Sequence, residues 1–116
     1  MRRYLNKLVA SFVLALLLLS GGASANGIAT VQLTLQVNHT VVLQWSASAS
    51  GDVTGYNVYR GNVSGGPYTK IISDLNALDY YDTSVQASTS YFYVVTAMNS
   101  SGLESTYSNE VSAPVP

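Results

Sequence analysis

Several residue types that support particular kinds of site are scarce or missing in this chain of 116 residues. There is no cysteine, which excludes a disulfide framework and a thiolate metal site. Histidine occurs once and charged residues make up 9% of the chain, so a metal centre of several clustered ligands is not expected. No glycine-rich phosphate loop follows a strand and opens a helix, so nucleotide binding has no support. We predict no cofactor and no bound metal.

Basic residues are also few, and they are unevenly placed. Five basic residues stand against six acidic ones, and Arg2, Arg3 and Lys7 lie at the extreme N-terminus. Without the first 25 residues, Arg60 and Lys70 remain against six acids, two against six, so the net charge is −4. A chain this acidic has no basic patch to neutralise phosphates, and we predict no nucleic-acid partner.

Residues 1–25 are typical of a bacterial secretory signal peptide. A basic head precedes an apolar core at residues 8–19, and Ala23-Ser24-Ala25 supplies the small side chains that a signal peptidase requires. As a helix, such a core rises about 18 Å, which is short of a hydrocarbon layer of about 30 Å. We predict a helical signal peptide cleaved after Ala25, with membrane contact only before cleavage. The alternative is a retained anchor. The domain at 26–116 is then secreted, periplasmic or held at the cell envelope.

The strongest secondary-structure signal lies within residues 85–99. From Tyr91 to Met98 the chain alternates with period two and is rich in aromatic and β-branched residues, a pattern typical of a strand. One side carries Tyr91, Tyr93, Val95 and Ala97, and the other carries Phe92, Val94, Thr96 and Met98. Both sides are mostly apolar, which indicates a central strand.

Shorter patterns of the same kind recur along the chain, separated by turn-rich loops. The predicted strands cover residues 28–37, 40–46, 55–60, 68–72, 78–81 and 107–112, besides the central one. About seven short strands with no convincing helix after the leader predict an all-β domain of two packed antiparallel sheets.

The central strand also carries a family resemblance. Its segment is similar to the corresponding segment of fibronectin type III domains, with matches at Val85, Thr89, Tyr91, Tyr93, Val95, Ala97 and Asn99. Further likenesses are Trp45, the strand GYNVYR at 55–60 and the ending SNEVS at 108–112. The resemblance covers nearly all of residues 30–113. It implies an immunoglobulin-like β-sandwich, with Trp45 and Tyr56 in the core and Tyr91 as the tyrosine corner, its hydroxyl bonded to upstream backbone.

Candidates for catalysis are weak. His39, the single histidine, lies just before the second predicted strand. The chain has no Gly-x-Ser-x-Gly elbow that would supply a serine nucleophile for it, so we interpret His39 as a surface turn residue. Asp79 and Asp82 could pair as general acid and base, but solvent exposure and turn capping explain them more simply. We predict that the chain is not an enzyme.

A candidate interaction face comes from the outward positions of the third and sixth strands. It comprises Tyr59, Phe92, Val94 and Thr96. Exposed apolar stripes often mark interaction surfaces, and flat aromatic faces suit sugar rings as well as proteins. The alternative is that neighbouring side chains cover these residues. By family topology the loops at 61–67 and 99–105 lie at opposite ends of the sandwich and do not form one site.

Three hypotheses for function follow. The first is an exported, non-catalytic module that binds protein or polysaccharide at the envelope or outside the cell. The second is a polysaccharide-active enzyme accessory or a small hydrolase. The third is an inhibitor or assembly partner of a secreted protein, using an edge strand or the Tyr59/Phe92 face. The fold does not choose among them, and the oligomeric state stays open.

Overall fold

The computed structural model describes residues 8–16 and 37–116, and these form seven strands. The strands are β1 (Leu8–Leu16), β2 (Val37–Trp45), β3 (Val53–Gly61), β4 (Thr69–Leu75), β5 (Asp79–Asp82), β6 (Thr89–Asn99) and β7 (Val111–Val115). No helix long and apolar enough to cross a membrane occurs within these two ranges.

The strands form two antiparallel sheets that enclose one core. One sheet has the order β1-β2-β5 and the other the order β4-β3-β6-β7. The core lies between them and includes Leu43, Trp45, Tyr56, Val58 and Tyr93. The Trp45 and Tyr56 rings lie 5.7 Å apart at an interplanar angle of 59°. The all-β sandwich predicted from the strand pattern is confirmed.

Strand β6 has the central position that its two apolar sides predict. It pairs with β3 on one side and β7 on the other. Its predicted inward residues, Tyr91, Tyr93, Val95 and Ala97, are all buried in the core. Because side chains alternate across a strand, this register fixes Phe92, Val94 and Thr96 on the outer face.

The first strand differs from the expectation. The edge of β2 is paired by β1, in a register running from Leu8 opposite Trp45 to Leu16 opposite Val37. The predicted strand at 28–37 lies, apart from Val37, outside the described residues. The backbone of Leu8–Leu16 is extended where a helix was expected, because this apolar run satisfies the open hydrogen-bonding edge of β2. Leu8 enters the core, and its N–H donates to Asn109 Oδ1 at 3.2 Å. Cleavage after Ala25 stays a prediction.

The last strand also differs, since it lies at Val111–Val115 and not at 107–112. Before β7 begins, two serines complete the backbone hydrogen bonds of β6. Ser105 N–H donates to the Ala97 carbonyl and Ser105 Oγ accepts from Ala97 N–H, both at 2.9 Å. Ser108 makes the same pair with Val95, also at 2.9 Å. Because serine hydroxyls replace backbone partners here, the chain between the two serines is not a regular strand.

Candidate functional site

Three tyrosines from separate parts of the chain meet on the outer side of the four-stranded sheet. Tyr59 lies on β3, Tyr68 immediately precedes β4, and Tyr107 lies in the connection between β6 and β7. The Tyr107 ring packs edge-on against Tyr59 at 5.2 Å and against Tyr68 at 5.4 Å. Tyr107 is 48% exposed, so the cluster presents aromatic surface to solvent.

Local backbone features place two of these rings. Tyr107 lies between Ser105 and Ser108, whose paired hydrogen bonds to β6 hold the segment against the sheet. Tyr68 follows a close turn after Gly61. A Cβ at Gly61 would lie 2.6 Å from the Pro67 carbonyl oxygen and 3.2 Å from Tyr68 Cδ1. Position 61 therefore requires glycine, because any side chain there would collide with the backbone of Pro67.

Glu104 is held beside the cluster by three donors to one oxygen. Its Oε1 accepts from Asn57 Nδ2 at 2.9 Å, from Thr96 Oγ1 at 2.6 Å and from the Tyr59 hydroxyl. Burial alone would raise the pKa of Glu104, but these hydrogen bonds and the nearby positive charge of Lys70 hold it below its usual range. The carboxylate is ionised at neutral pH, and burial and this carboxylate together raise the pKa of Tyr59.

Glu110 is likewise held by three hydrogen-bond donors, from Tyr68 and from the turn that precedes it. It accepts hydrogen bonds from the Tyr68 hydroxyl, from Ser64 Oγ at 2.7 Å and from Gly65 N–H at 2.7 Å. These donors, Tyr68 first, lower the pKa of Glu110. Burial and the bond to Glu110 raise the pKa of Tyr68 to about 12. These hydrogen bonds connect the turn between β3 and β4 to the segment that precedes β7.

We call this region the tyrosine surface, defined by Tyr59, Tyr68, Tyr107, Glu104 and Glu110. A depression of about 440 Å³ lies in it, lined by Tyr59, Thr96, Glu104, Ser105, Thr106 and Tyr107. Lys70 Nζ lies 5.4 Å from the Tyr59 ring centroid. Aromatic faces offer stacking area and ionised carboxylates accept hydrogen bonds from hydroxyl groups, a combination suited to binding a polyhydroxylated ligand.

The interaction face predicted from sequence is only partly exposed. Tyr59 and Phe92 are half-buried, whereas Val94 and Thr96 are each 2% exposed. Val94 lies opposite Tyr59 across the strand pair, and Thr96 donates its hydroxyl to Glu104. Val94 and Thr96 are therefore covered, as the alternative interpretation has it, whereas Tyr59 and Phe92 stay partly exposed.

The separation of the loops at 61–67 and 99–105 stays a prediction, but residues that follow the second loop reach the turn after β3. The chain after residue 103 runs back along β6, and Tyr107 and Glu110 contact Tyr68 and Ser64 of the turn after β3. Sequence reasoning missed Tyr68, Tyr107 and both glutamates as site residues. Their contacts join positions far apart in sequence, and the abundance of tyrosine was the one signal that pointed to them.

The structural markers are where the resemblance places them. Trp45 and Tyr56 are buried in the core. The Tyr91 hydroxyl accepts a hydrogen bond from the backbone N–H of Gln86, 3.0 Å away. Tyr91 thus forms the expected tyrosine corner, which satisfies its polar tip while its ring is buried.

The interpretation of Asp79 and Asp82 as exposed capping residues was wrong for Asp82. Asp82 on β5 is 1% exposed. Its Oδ2 accepts from Arg60 Nη1 of β3 at 2.7 Å and from the Tyr93 hydroxyl of β6 at 2.8 Å. Ser84 donates to Oδ1 through both its N–H and its hydroxyl. Burial would raise the pKa of Asp82, but these donors outweigh it and lower that pKa. The ionised carboxylate of Asp82 therefore connects the two sheets through an ion pair and hydrogen bonds.

The remaining catalytic candidates are not brought together. Asp79 and Asp82 are three apart on one strand, so their side chains point to opposite faces. His39 lies within β2, opposite Leu14, and is half-buried, so its interpretation as a surface turn residue was wrong. Within residues 8–16 and 37–116, no group of three His, Cys, Asp or Glu side chains could hold a metal ion.

Comparison with known proteins identifies the family. No family model matches the chain. Among solved structures, an Fn3-like protein from Clostridium thermocellum superposes with a TM-score of 0.60 and 39% sequence identity, covering 66% of this chain and 77% of that one. The chain belongs to the Fn3-like family. Here Fn3 denotes fibronectin type III.

Two further proteins with a matching stretch are much longer enzymes. A β-1,2-glucanase from Parabacteroides distasonis matches with a TM-score of 0.57 and 25% identity, over 66% of this Fn3-like chain and 11% of the glucanase. An amylopullulanase from Thermoanaerobacter thermohydrosulfuricus is 43% identical over 76 residues, which is 66% of this chain and 5% of the amylopullulanase. The match thus spans about one-twentieth of that enzyme's length.

Proposed function

We propose that this Fn3-like chain is a non-catalytic accessory module that binds polysaccharide through its tyrosine surface. The observation that carries the proposal is the solvent-facing ring cluster around Tyr107, bordered by the ionised carboxylate of Glu104. The likeness to short stretches of an amylopullulanase and a β-1,2-glucanase supports a role beside carbohydrate. Export through the leader at 1–25, whose residues 8–16 form β1 in the full chain, is part of the proposal.

The small-hydrolase alternative has less support from the carboxyl groups. Glycoside hydrolysis uses two carboxyls on either side of the scissile bond, one of them kept protonated by a raised pKa. The carboxyls of Asp82, Glu104 and Glu110 have lowered pKa values instead. Their hydrogen-bond donors stabilise the charged form, which suits fixed acceptors better than proton donors.

Assembly through an edge strand of the four-stranded sheet has less support as well. Edge strand β7 carries Pro114, which has no backbone N–H to donate to an added strand. Edge strand β4 carries Lys70 and has register shifts in its pairing with β3, two features that discourage strand addition. The tyrosine surface offers a better-formed contact area than either edge of the four-stranded sheet.

The direct test compares binding by wild type, Tyr107→Ala and Tyr81→Ala. Tyr81 on β5 is 57% exposed and belongs to the other sheet, so it is a matched control for loss of an exposed tyrosine. Binding is measured as depletion of the full chain by insoluble polysaccharides, isolated cell envelope and envelope stripped of protein. We expect Tyr107→Ala to weaken polysaccharide binding about tenfold, equivalent to about 1.4 kcal/mol, because its ring lies between the other two.

Two outcomes would contradict the proposal. Equal weakening by both substitutions would place the contact elsewhere. Depletion by protein-containing envelope alone would favour the protein-partner hypothesis.

A further inference from the structure

The tyrosine surface carries negative charge on both of its sides. Glu104 borders Tyr59 and Glu110 borders Tyr68. Hydrogen bonds hold the pKa of each carboxyl below its usual range, so both are ionised at neutral pH. A ligand at this surface therefore meets two fixed anions.

Little positive charge is available to balance them. After residue 25 the chain has two basic residues, Arg60 and Lys70. Arg60 is committed to Asp82 at 2.7 Å and lies over the Tyr91 ring, 4.9 Å from its centroid. Lys70 lies over the Tyr59 ring, and its charge already acts on Glu104. Within residues 8–16 and 37–116, both basic side chains therefore already lie against an aromatic ring or a carboxylate.

We propose that the polysaccharide bound at the tyrosine surface is electrically neutral, and that polyuronates are excluded. This inference rests on the proposed function and narrows its ligand class. A uronate ring stacked on Tyr107 would bring its carboxylate towards Glu104 or Glu110, and the like charges would repel each other.

Neutral sugar hydroxyls suit the same groups. All three donors to Glu104 bond to Oε1, which leaves Oε2 as the oxygen that a ligand hydroxyl would reach. The apolar face of a pyranose ring would stack on Tyr107 while its hydroxyls donate to this carboxylate. Because no ion pair is formed, such binding depends weakly on ionic strength.

A cationic amino polysaccharide would fit the charges but would find little free hydrogen-bonding capacity at Glu110. Glu110 already accepts from three donors, two of them from the turn at 64–65, which leaves about one of its four acceptor positions for an ammonium group. The position over the Tyr59 ring, where a cation is attracted by the aromatic face, is taken by Lys70.

The test is affinity electrophoresis of the full chain in gels containing one of four probes: a neutral α-glucan, a neutral β-glucan, polygalacturonate or partly deacetylated chitin. Each is run at low and high ionic strength, with Tyr107→Ala and Tyr81→Ala alongside. We expect at least one neutral glucan to retard wild type and Tyr81→Ala equally, with less than about a twofold change in affinity with salt. Tyr107→Ala should lose that retardation, and polygalacturonate should bind at least about tenfold more weakly than the glucan.

Each other result has a distinct meaning. Polygalacturonate binding that matches the neutral glucan, and is lost in Tyr107→Ala, would overturn the neutral-ligand inference but keep the proposed function. Preferential, salt-sensitive binding of deacetylated chitin would overturn it in the same way. Retardation by none of the four probes would reject the proposed function, and the inference with it.

Discussion

At the scale of single residues, Asp82 shows most clearly how a side chain can join the two sheets. Its carboxylate accepts hydrogen bonds from Arg60 on β3, Tyr93 on β6 and Ser84 beyond the end of β5. Removing one partner of a buried ion pair leaves the other uncompensated, which is strongly destabilising. Arg60 is 23% exposed at its side chain, so water offsets part of that loss.

We therefore predict that Asp82→Asn lowers the free energy of unfolding by roughly 3 kcal/mol, measured from urea denaturation. Asp79→Asn on the same strand is the control and should change it by less than about 0.5 kcal/mol. Equal effects of the two substitutions would show that the inter-sheet hydrogen bonds contribute little.

The same contacts give the stability a pH dependence. The pKa of Asp82 is lower in the folded chain than in the unfolded one, so its contribution is complete above the unfolded value, about 4, and is lost as the pH falls through the folded value. Wild type should lose stability on acidification below about pH 4 more steeply than Asp82→Asn. Parallel acid profiles would contradict this assignment.

Sequence reasoning at this scale was correct where a residue's role follows from local pattern. Tyr91 and Trp45 lie in motifs, and each occupies the position that its motif implies. The role of Asp82 could not be predicted in this way, because Arg60 and Tyr93 come from strands whose proximity only the folded topology defines. Its neighbours in sequence indicated a turn and gave no sign of burial.

At the scale of elements, the turn between β3 and β4 positions one wall of the tyrosine surface. Gly61 allows the close approach to Pro67, and Glu110 fixes the turn through Ser64 and Gly65. An added methyl group would meet backbone, which cannot move as a flexible side chain can. Tyr68 would shift with the turn.

We predict that Gly61→Ala lowers the free energy of unfolding by about 1–3 kcal/mol, the range typical of overpacking. It should also weaken polysaccharide binding by displacing Tyr68. Gly51→Ala is the control, because a Cβ there meets nothing within 4 Å. Urea denaturation of both variants tests the prediction, and an unchanged Gly61→Ala midpoint would show that the turn adapts without strain.

The element boundaries show what periodicity can and cannot predict. The sequence of β6 predicted its central position because the residues on both faces of the strand are mostly apolar. The end of the chain was placed wrongly because residues 107–110 look like a strand in sequence, whereas Ser105 and Ser108 replace backbone pairing by hydroxyls. The extended backbone of β1 was missed because an apolar run after a basic head is also typical of a signal peptide.

At the scale of the whole molecule, the sandwich brings distant segments together in the tyrosine surface. The fold class and the core follow from strand spacing and aromatic content, both readable in sequence. The tyrosine surface cannot be predicted from these sequence features, because Tyr107 reaches Tyr59 and Tyr68 only after the chain runs back along β6. A surface of this kind depends on which loops the topology brings together.

The most direct measurement of the central claim is an NMR titration of the full chain with a soluble oligosaccharide of the glucan that binds best. Backbone amide shifts report which residues meet the sugar without any substitution. We predict the largest changes at Tyr59, Glu104 and Tyr107, with Tyr81 on the opposite sheet unaffected. Changes centred on Tyr81 or on the edge strands, with the tyrosine surface silent, would contradict the account.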